Sequence, residues 1–182
     1  DVNKVANDLR LLSSGPHTGL DEITLPAVEP GSSIMPGKVN PSIPEMMNMV
    51  CYQVIGNDTC ISEAVQSGQL ELNVMTPVVA KNLVESITIL TNGITTFNEL
   101  CIKGITANKK KCQHYFEQSA GLATFLNPMI GYEKAAEVVK ESLKSGKTIR
   151  QVIIEKKILS EKEVDELFDY KKVTQPNLKR KK

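Results

Sequence analysis

The chain of 182 residues is long enough for one hydrophobic core, or for one core and a small second domain. Hydrophobic residues make up 41% and charged residues 24%, and the net charge of +1 provides no field that favours nucleic acid or an acidic surface. No signal peptide is visible and no apolar run approaches the roughly 20 residues that span a bilayer, so we expect a cytoplasmic protein with no membrane partner.

The first predicted helix covers Val2–Leu12. Its apolar residues recur at helical spacing, at Val2, Val5, Leu9 and Leu12. No N-cap signal precedes it, and the chain begins at Asp1 rather than at a methionine. We therefore expect that this helix begins before residue 1, and that the chain is a C-terminal fragment of a longer protein. Glycine and proline at residues 13–16 predict its end.

The following segment, residues 15–44, has no clear periodicity and contains six prolines. Loops beyond about 12–15 residues are uncommon unless they are functional or disordered. Because this segment is not of low complexity, the sequence favours a functional loop.

A second helix is predicted from near Ser42 to residues 67–68. Proline is tolerated in a first helical turn, as at Pro44, and Glu45 suits the helix dipole there. The predicted apolar face comprises Met46, Met47, Val50, Val54, Ile61 and Val65.

The third predicted helix carries an apolar seam at steps of four and three, formed by Leu83, Ile87, Leu90, Ile94 and Phe97. This spacing is typical of long helices that cross at shallow angles in a bundle. Because proline removes one backbone hydrogen bond, Thr76-Pro77 predicts a kink or a delayed start.

Beyond residue 102 the predicted elements become short. They are a helix over residues 108–118, a turn-like stretch at 127–131 and a helix over Tyr132–Ser145 that ends at Gly146. Two capping boxes are predicted after it, Thr148 with Gln151 and Ser160 with Glu163. No strand alternation of useful length is visible.

The predicted fold class is all-α. We expect a long-helix bundle in residues 1–102, which includes the loop 29–41, then a small all-helical domain in 103–170 and a basic tail in 171–182. Aromatic residues are only 4%, and a core of aliphatic side chains suits packed helices. We interpret Lys-Arg-Lys-Lys at 179–182 as a solvated end rather than a localisation signal or a polyanion contact.

The four cysteines are interpreted as reduced thiols. They lie at Cys51, Cys60, Cys101 and Cys112, with no C-x-x-C spacing. Because His17 and His114 do not complete a ligand set with them, we expect no metal site.

Residues 31–41 combine groups that suit anion binding. Two hydroxyls, Ser32 and Ser33, precede a cation, Lys38, and an amide, Asn40. Lysine and asparagine are donors suited to a carboxylate, and the following helix N-terminus adds a favourable field. Residue types alone leave two readings open: an anion-binding loop with a nucleophile or base, or a solvated loop whose serines only make turns.

The complete string, G-S-S-I-M-P-G-K-V-N-P, is far more specific. It resembles the signature loop of the aspartase/fumarase superfamily, G-S-S-x-M-P-x-K-x-N-P, at every fixed position. The resemblance extends to N-D-L-R-L-L-S-S-G-P at 7–16, V-I-G-N-D-T at 54–59 and G-Q-L-E-L-N-V-M at 68–75, and covers nearly all of residues 1–170.

Within the superfamily, three stretches look more like aspartate ammonia-lyases than class II fumarases. They are G-Q-L at 68–70, G-I-T-A-N at 104–108 and F-L-N-P-M-I-G at 125–131. The resemblance implies β-elimination of L-aspartate to fumarate and ammonia through an aci-carboxylate intermediate, with no cofactor.

The resemblance also implies roles for the loop residues. Ser32 is expected to be the catalytic base, and Ser33 to donate to the carboxylate that becomes the enediolate. Lys38 and Asn40 are expected to bind the other carboxylate of the substrate. Glu45 matches a glutamate that pairs with an active-site histidine outside this chain. Because a serine hydroxyl titrates far above neutral pH, we expect residues 29–38 to close over the substrate.

Superfamily active sites are assembled from three subunits of a homotetramer. The resemblance therefore implies that this chain needs partner subunits and the missing N-terminal part of the same protein, and that alone it is inactive. The apolar seam of the third helix is expected to be partly exposed without them.

Two alternatives remain open from the sequence. A class II fumarase would use the same loop and differ in leaving group. A non-catalytic helical interaction domain could retain the loop, although a lost activity gives no reason to keep Ser32, Lys38 and Asn40 together.

Overall fold

A computed structural model describes residues 1–29, 31, 35 and 37–175. The chain divides into two compact units, Asp1–Lys109 and Lys110–Lys182. The predicted all-α class is confirmed, with one small sheet among the described residues. The domain bounds expected from the sequence, 1–102 and 103–170, stay a prediction.

Three long helices build the N-terminal unit, and all were predicted. They are α1 (Val2–Leu12), α2 (Ser42–Gln66) and α3 (Thr76–Leu100). The delayed start of α3 is confirmed, since Pro77 lies in its first turn. Asn73 stabilises the turn before it, because its Nδ2 donates to the carbonyl of Ala64 at 3.0 Å and its Oδ1 accepts from the amide of Met75 at 2.8 Å.

The core of this unit joins all three helices. Its buried residues are Ala6, Leu25, Met47, Cys51, Phe97 and Cys101. Gly93 lies where α3 approaches α2, since a Cβ added there would stand 3.4 Å from the methyl carbons of Val50. The small side chain therefore permits the close packing of the two helices.

Further along the hairpin, α2 and α3 meet through polar groups, which corrects the predicted apolar face of α2. Asn57 is buried, and its Nδ2 donates to Ser86 Oγ at 3.1 Å and to the carbonyl of Asn82 at 3.4 Å. Val65, predicted on the apolar face, is 59% exposed. Polar side chains can be buried on this inward face of α2 because their amide and hydroxyl groups form hydrogen bonds with one another.

A two-stranded antiparallel sheet was not predicted. Strand β1 (Ile23–Thr24) pairs with β2 (Thr106–Ala107), with Ile23 opposite Ala107 and Thr24 opposite Thr106. A 3-10 turn, Ile102–Gly104, leads from α3 to β2. Strands of two residues carry no detectable alternation, so this small sheet leaves no signal in the sequence.

The C-terminal unit consists of short helices, the first of which begins at the boundary residue. They are α4 (Lys109–Gln118), α5 (Asn127–Ile130), α6 (Tyr132–Ser145), α7 (Ile149–Glu155), α8 (Glu161–Leu167) and α9 (Tyr170–Thr174), with a 3-10 segment at Ala120–Leu126. The core residues are Ala123, Leu126, Ala135, Val138, Ile149, Val152, Ile153 and Val164.

Most of the local signals in this unit are confirmed. Gly146 ends α6 with φ of 71°, and both capping boxes form. The stretch at 127–131 is a one-turn helix rather than a turn, because Pro128 in its first turn suits a helix start. Helix α9 extends into the predicted tail, and residues 176–182 lie outside the described residues.

Candidate active site

The signature loop is only partly described. Ser32 and Ser33, the expected base and its neighbour, lie outside the described residues, so their roles stay predictions. Gly31, Met35 and residues 37–41 are described, and they include Lys38 and Asn40.

The backbone of Gly31 lies directly against that of Lys38. A Cβ added at Gly31 would stand 1.4 Å from the carbonyl oxygen of Lys38, which no side chain could tolerate. Gly37 has φ of 79°, a conformation that other residues rarely adopt. Gly31 therefore permits the close contact with the Lys38 backbone, and Gly37 permits the positive φ directly before Lys38.

A side-chain contact joins the residues that flank the loop. Ser42, the first residue of α2, donates a hydrogen bond from its hydroxyl to Glu29 Oε1. Sequence reasoning had assigned neither residue a role. The contact fixes the entrance of the loop to the start of the helix that follows it.

Lys38 and Asn40 line the same cavity, of about 670 Å³. The lining also includes Ser13, at the end of α1, and Thr24 of β1. Lys38 is exposed and Asn40 half-buried. A cation and an amide donor thus line one cavity large enough for a dicarboxylate, and their role in binding the substrate stays a prediction.

Asp21 holds the wall of this cavity to the second strand. It has φ of 52°, which aspartate adopts more readily than most residues. Asn108 donates from Nδ2 to Asp21 Oδ2 at 2.9 Å and from its backbone amide to the carbonyl of Glu22 at 2.9 Å. Sequence reasoning missed this pair, since 87 residues separate its members.

Glu45 lies in the first turn of α2, where the helix dipole favours a carboxylate. Its Oε1 is 3.9 Å from an Arg10 guanidinium nitrogen of α1. Arg10 also donates to Asn48 Oδ1 at 3.0 Å. Arg10 was not singled out from the sequence, although Asn3, Asn7 and Arg10 form a polar stripe at helical spacing that could have identified it.

All four cysteines are free thiols. Burial raises the pKa of the Cys51 thiol, against a smaller lowering by the N-terminal charge, and burial also raises the pKa of Cys101. Because the thiolate is the nucleophilic form, these two residues act as core packing groups.

No helix in the described part of the chain combines the length and the apolar character needed to cross a bilayer.

Two family models match the chain: "Lyase" over residues 1–56 and "Fumarase C C-terminus" over residues 122–175. The aspartate ammonia-lyase of Helicobacter pylori is 52% identical over 176 residues, which cover 97% of this chain. This chain spans only 38% of the length of that relative.

Two solved structures share the fold. A fumarate lyase:delta crystallin from Brucella melitensis bound to cobalt matches with a TM-score of 0.91 and 50% identity, over 96% of this chain and 38% of its own. A class II fumarase from Schistosoma mansoni matches with a TM-score of 0.82 and 44% identity, over 91% of this chain and 35% of the fumarase chain. With the signature loop and the helical fold, these similarities show that the chain belongs to the aspartase/fumarase superfamily of lyases.

Proposed function

We propose that this chain provides one subunit's share of the active site of an ammonia-lyase that converts L-aspartate to fumarate and ammonia. The observation that carries the proposal is the cavity shared by Lys38 and Asn40 beside the start of α2. The similarity to an aspartate ammonia-lyase at 52% identity supports the choice of substrate.

In the proposed reaction, Ser32 removes a proton from the carbon next to the β-carboxylate of the substrate. The electron pair of the broken C–H bond moves into that carboxylate and forms an aci-carboxylate, to which Ser33 donates. The carbon–nitrogen bond then breaks, the electrons of the intermediate form the double bond of fumarate, and ammonia leaves. Because negative charge develops in this step, most of the catalysis is electrostatic stabilisation.

Lys38 and Asn40 bind the α-carboxylate, which does not react. Lysine supplies a point charge and asparagine a directional amide donor, so the pair can both attract and orient the substrate. Glu45, in the first turn of α2, is proposed to pair with a histidine from another part of the assembly, as the resemblance implies. The expected closure of residues 29–38 would exclude water and favour the serine alkoxide.

We further propose that the complete enzyme is a homotetramer whose active sites are shared between three subunits. The apolar seam of α3 supports this, since Leu83, Ile87 and Ile94 are 50%, 57% and 45% exposed in the single chain. Exposed apolar stripes of this kind mark interfaces. The 182-residue chain alone is then an incomplete catalyst.

The decisive experiment is Ser32→Ala in the intact protein. Loss of the base is expected to lower kcat for L-aspartate by at least about 100-fold, with the helical fold retained. Ser67→Ala is the matched control, because within the described residues the Ser67 hydroxyl donates only to the carbonyl of Glu63 at the end of α2. Turnover by Ser32→Ala within roughly tenfold of wild type would exclude Ser32 as the base.

A class II fumarase is the second candidate, favoured by the 44% identity to the enzyme from Schistosoma mansoni. The two activities differ in the group that leaves. The intact protein is incubated with fumarate and ammonium, and separately with fumarate in water. Formation of aspartate supports the ammonia-lyase, and formation of malate alone would replace it with the hydratase.

A further inference from the structure

A polar contact joins α1 to α2 about two turns from the start of α2. Asn48 is 2% exposed, and its Nδ2 donates to Asn3 Oδ1 at 2.7 Å and to the Asn3 carbonyl at 3.2 Å. Its Oδ1 accepts from Arg10 at 3.0 Å. Because both ends of the buried amide are used, the guanidinium of Arg10 has a fixed neighbour.

The same guanidinium faces Glu45, one turn before Asn48 on α2. The distance of 3.9 Å between Arg10 and Glu45 Oε1 allows charge attraction but no hydrogen bond. Among the described residues, none donates a hydrogen bond to the Glu45 carboxylate. Arg10 therefore holds the carboxylate by charge and leaves its oxygens able to accept from a further donor.

We propose that Arg10 is a positioning residue for the elimination, acting through Glu45 rather than on the substrate. The contact with Asn48 fixes the guanidinium, and the guanidinium restricts where the Glu45 carboxylate lies. This inference rests on the proposed function, in which Glu45 pairs with a histidine supplied by another part of the assembly.

The environment of one Arg10 atom supports a fixed role, although the side chain as a whole is 40% exposed. Its Nε is buried and has no hydrogen-bond partner in the described part of the chain. Leaving a buried donor unpaired is unfavourable. A cationic side chain needed only for solubility would extend further into water, as Lys4 on the same helix does with 75% of its side chain exposed.

The test is a double-mutant cycle in the intact protein, with kcat and KM for L-aspartate measured for Arg10→Met, Glu45→Gln and the double variant. Arg10→Met is expected to lower kcat about tenfold, with KM changed less than about twofold. In the Glu45→Gln background, Arg10→Met should change kcat less than about twofold, because the carboxylate that Arg10 is proposed to position is absent. Arg10→Lys, which keeps the charge, should restore part of kcat.

Lys4→Met is the matched control, since it removes a cation from the same helix without touching Glu45. If Arg10→Met does not fold, Arg10→Gln carries the same comparison, because glutamine can still donate to Asn48. Wild-type kcat in the Arg10 variant overturns the inference. Equal losses with and without Glu45, together with a lowered melting temperature, also overturn it and leave Arg10 a structural role only.

Failure of the proposed function gives a different result. A wild-type protein that is inactive on L-aspartate but hydrates fumarate would refute the ammonia-lyase, and the cycle is then measured on hydration. A wild-type protein inactive on both substrates overturns both proposals, because Arg10 then has no reaction to serve.

Discussion

At the scale of single residues, the shape of the loop depends on the missing Cβ of Gly31 and on the conformation and hydrogen bond of Asp21. Gly31 permits contact with the Lys38 carbonyl, and Asp21 adopts a left-handed conformation while accepting from Asn108. Neither residue would contact substrate in the proposed reaction. Both hold the cavity lined by Lys38 and Asn40 in its shape.

Gly31→Ala tests this dependence. The added methyl group would overlap backbone atoms of Lys38, so the loop must shift. The shift would displace Lys38 and Asn40, which are proposed to donate to the substrate carboxylate. We expect kcat/KM for L-aspartate to fall by about 100-fold, since misplacement of about 1 Å can have that effect. Gly56→Ala in α2 is the control, because a Cβ there meets no atom within 4 Å, and it should leave kcat/KM unchanged. Unchanged kinetics in Gly31→Ala would contradict the described backbone contact.

At the scale of elements, local capping explains why the short helices of the C-terminal unit are well defined. Thr148 caps α7 with the neutral Gln151, and Ser160 caps α8 with the ionisable Glu163. Hydrogen bonds from the Ser160 side chain and then its backbone amide lower the pKa of Glu163 from its ordinary value near 4.5. The two boxes therefore differ in pH dependence although their geometry is the same.

The stability that the Ser160–Glu163 capping box gives to the fold should decrease at low pH. A carboxyl whose folded-state pKa is lowered stabilises the fold above its unfolded pKa, and this stabilisation is lost as pH falls through the folded pKa. Ser160→Ala in the intact protein is expected to lower the melting temperature at pH 7 by about 2–4 °C and to have a smaller effect near pH 3. Thr148→Ala should be equally destabilising at both pH values. A Ser160 effect that is the same at both would contradict this assignment.

At the scale of the whole molecule, the N-terminal unit leaves apolar side chains exposed that its own helices do not cover. The face of α3 that packs on α2 carries Asn82, Ser86, Gly93 and Phe97, whereas Leu83, Ile87 and Ile94 lie on an exposed neighbouring face. Burying such a stripe against other helices is a main driving force for association.

We expect the 182-residue chain to self-associate in solution and to release no ammonia from L-aspartate. Ile87→Glu should weaken the association, because it places a charge in the apolar seam. Asn92→Glu, on an exposed face of α3 away from the seam, is the matched control. Sedimentation velocity measures the mass of each variant. A monomeric wild-type chain, or ammonia release from it, would contradict these expectations.

Much of the fold could be predicted because its signals are local in sequence. The bounds of α1, α2 and α6 follow from apolar periodicity and from terminal residues such as Pro44 and Gly146. The capping boxes need only four consecutive residues. The superfamily was recognised from eleven contiguous residues at 31–41, and the comparisons confirm it.

The remaining features depend on residues far apart in the chain. Arg10 meets Asn48 across 38 positions and Asp21 meets Asn108 across 87, and no periodicity links the members of either pair. The sequence by itself determined the long helices, the ends marked by capping residues, and the family. Only the tertiary structure decided which polar groups support Glu45 and which residues line a cavity with Lys38 and Asn40, because such contacts arise when separate helices and strands pack together.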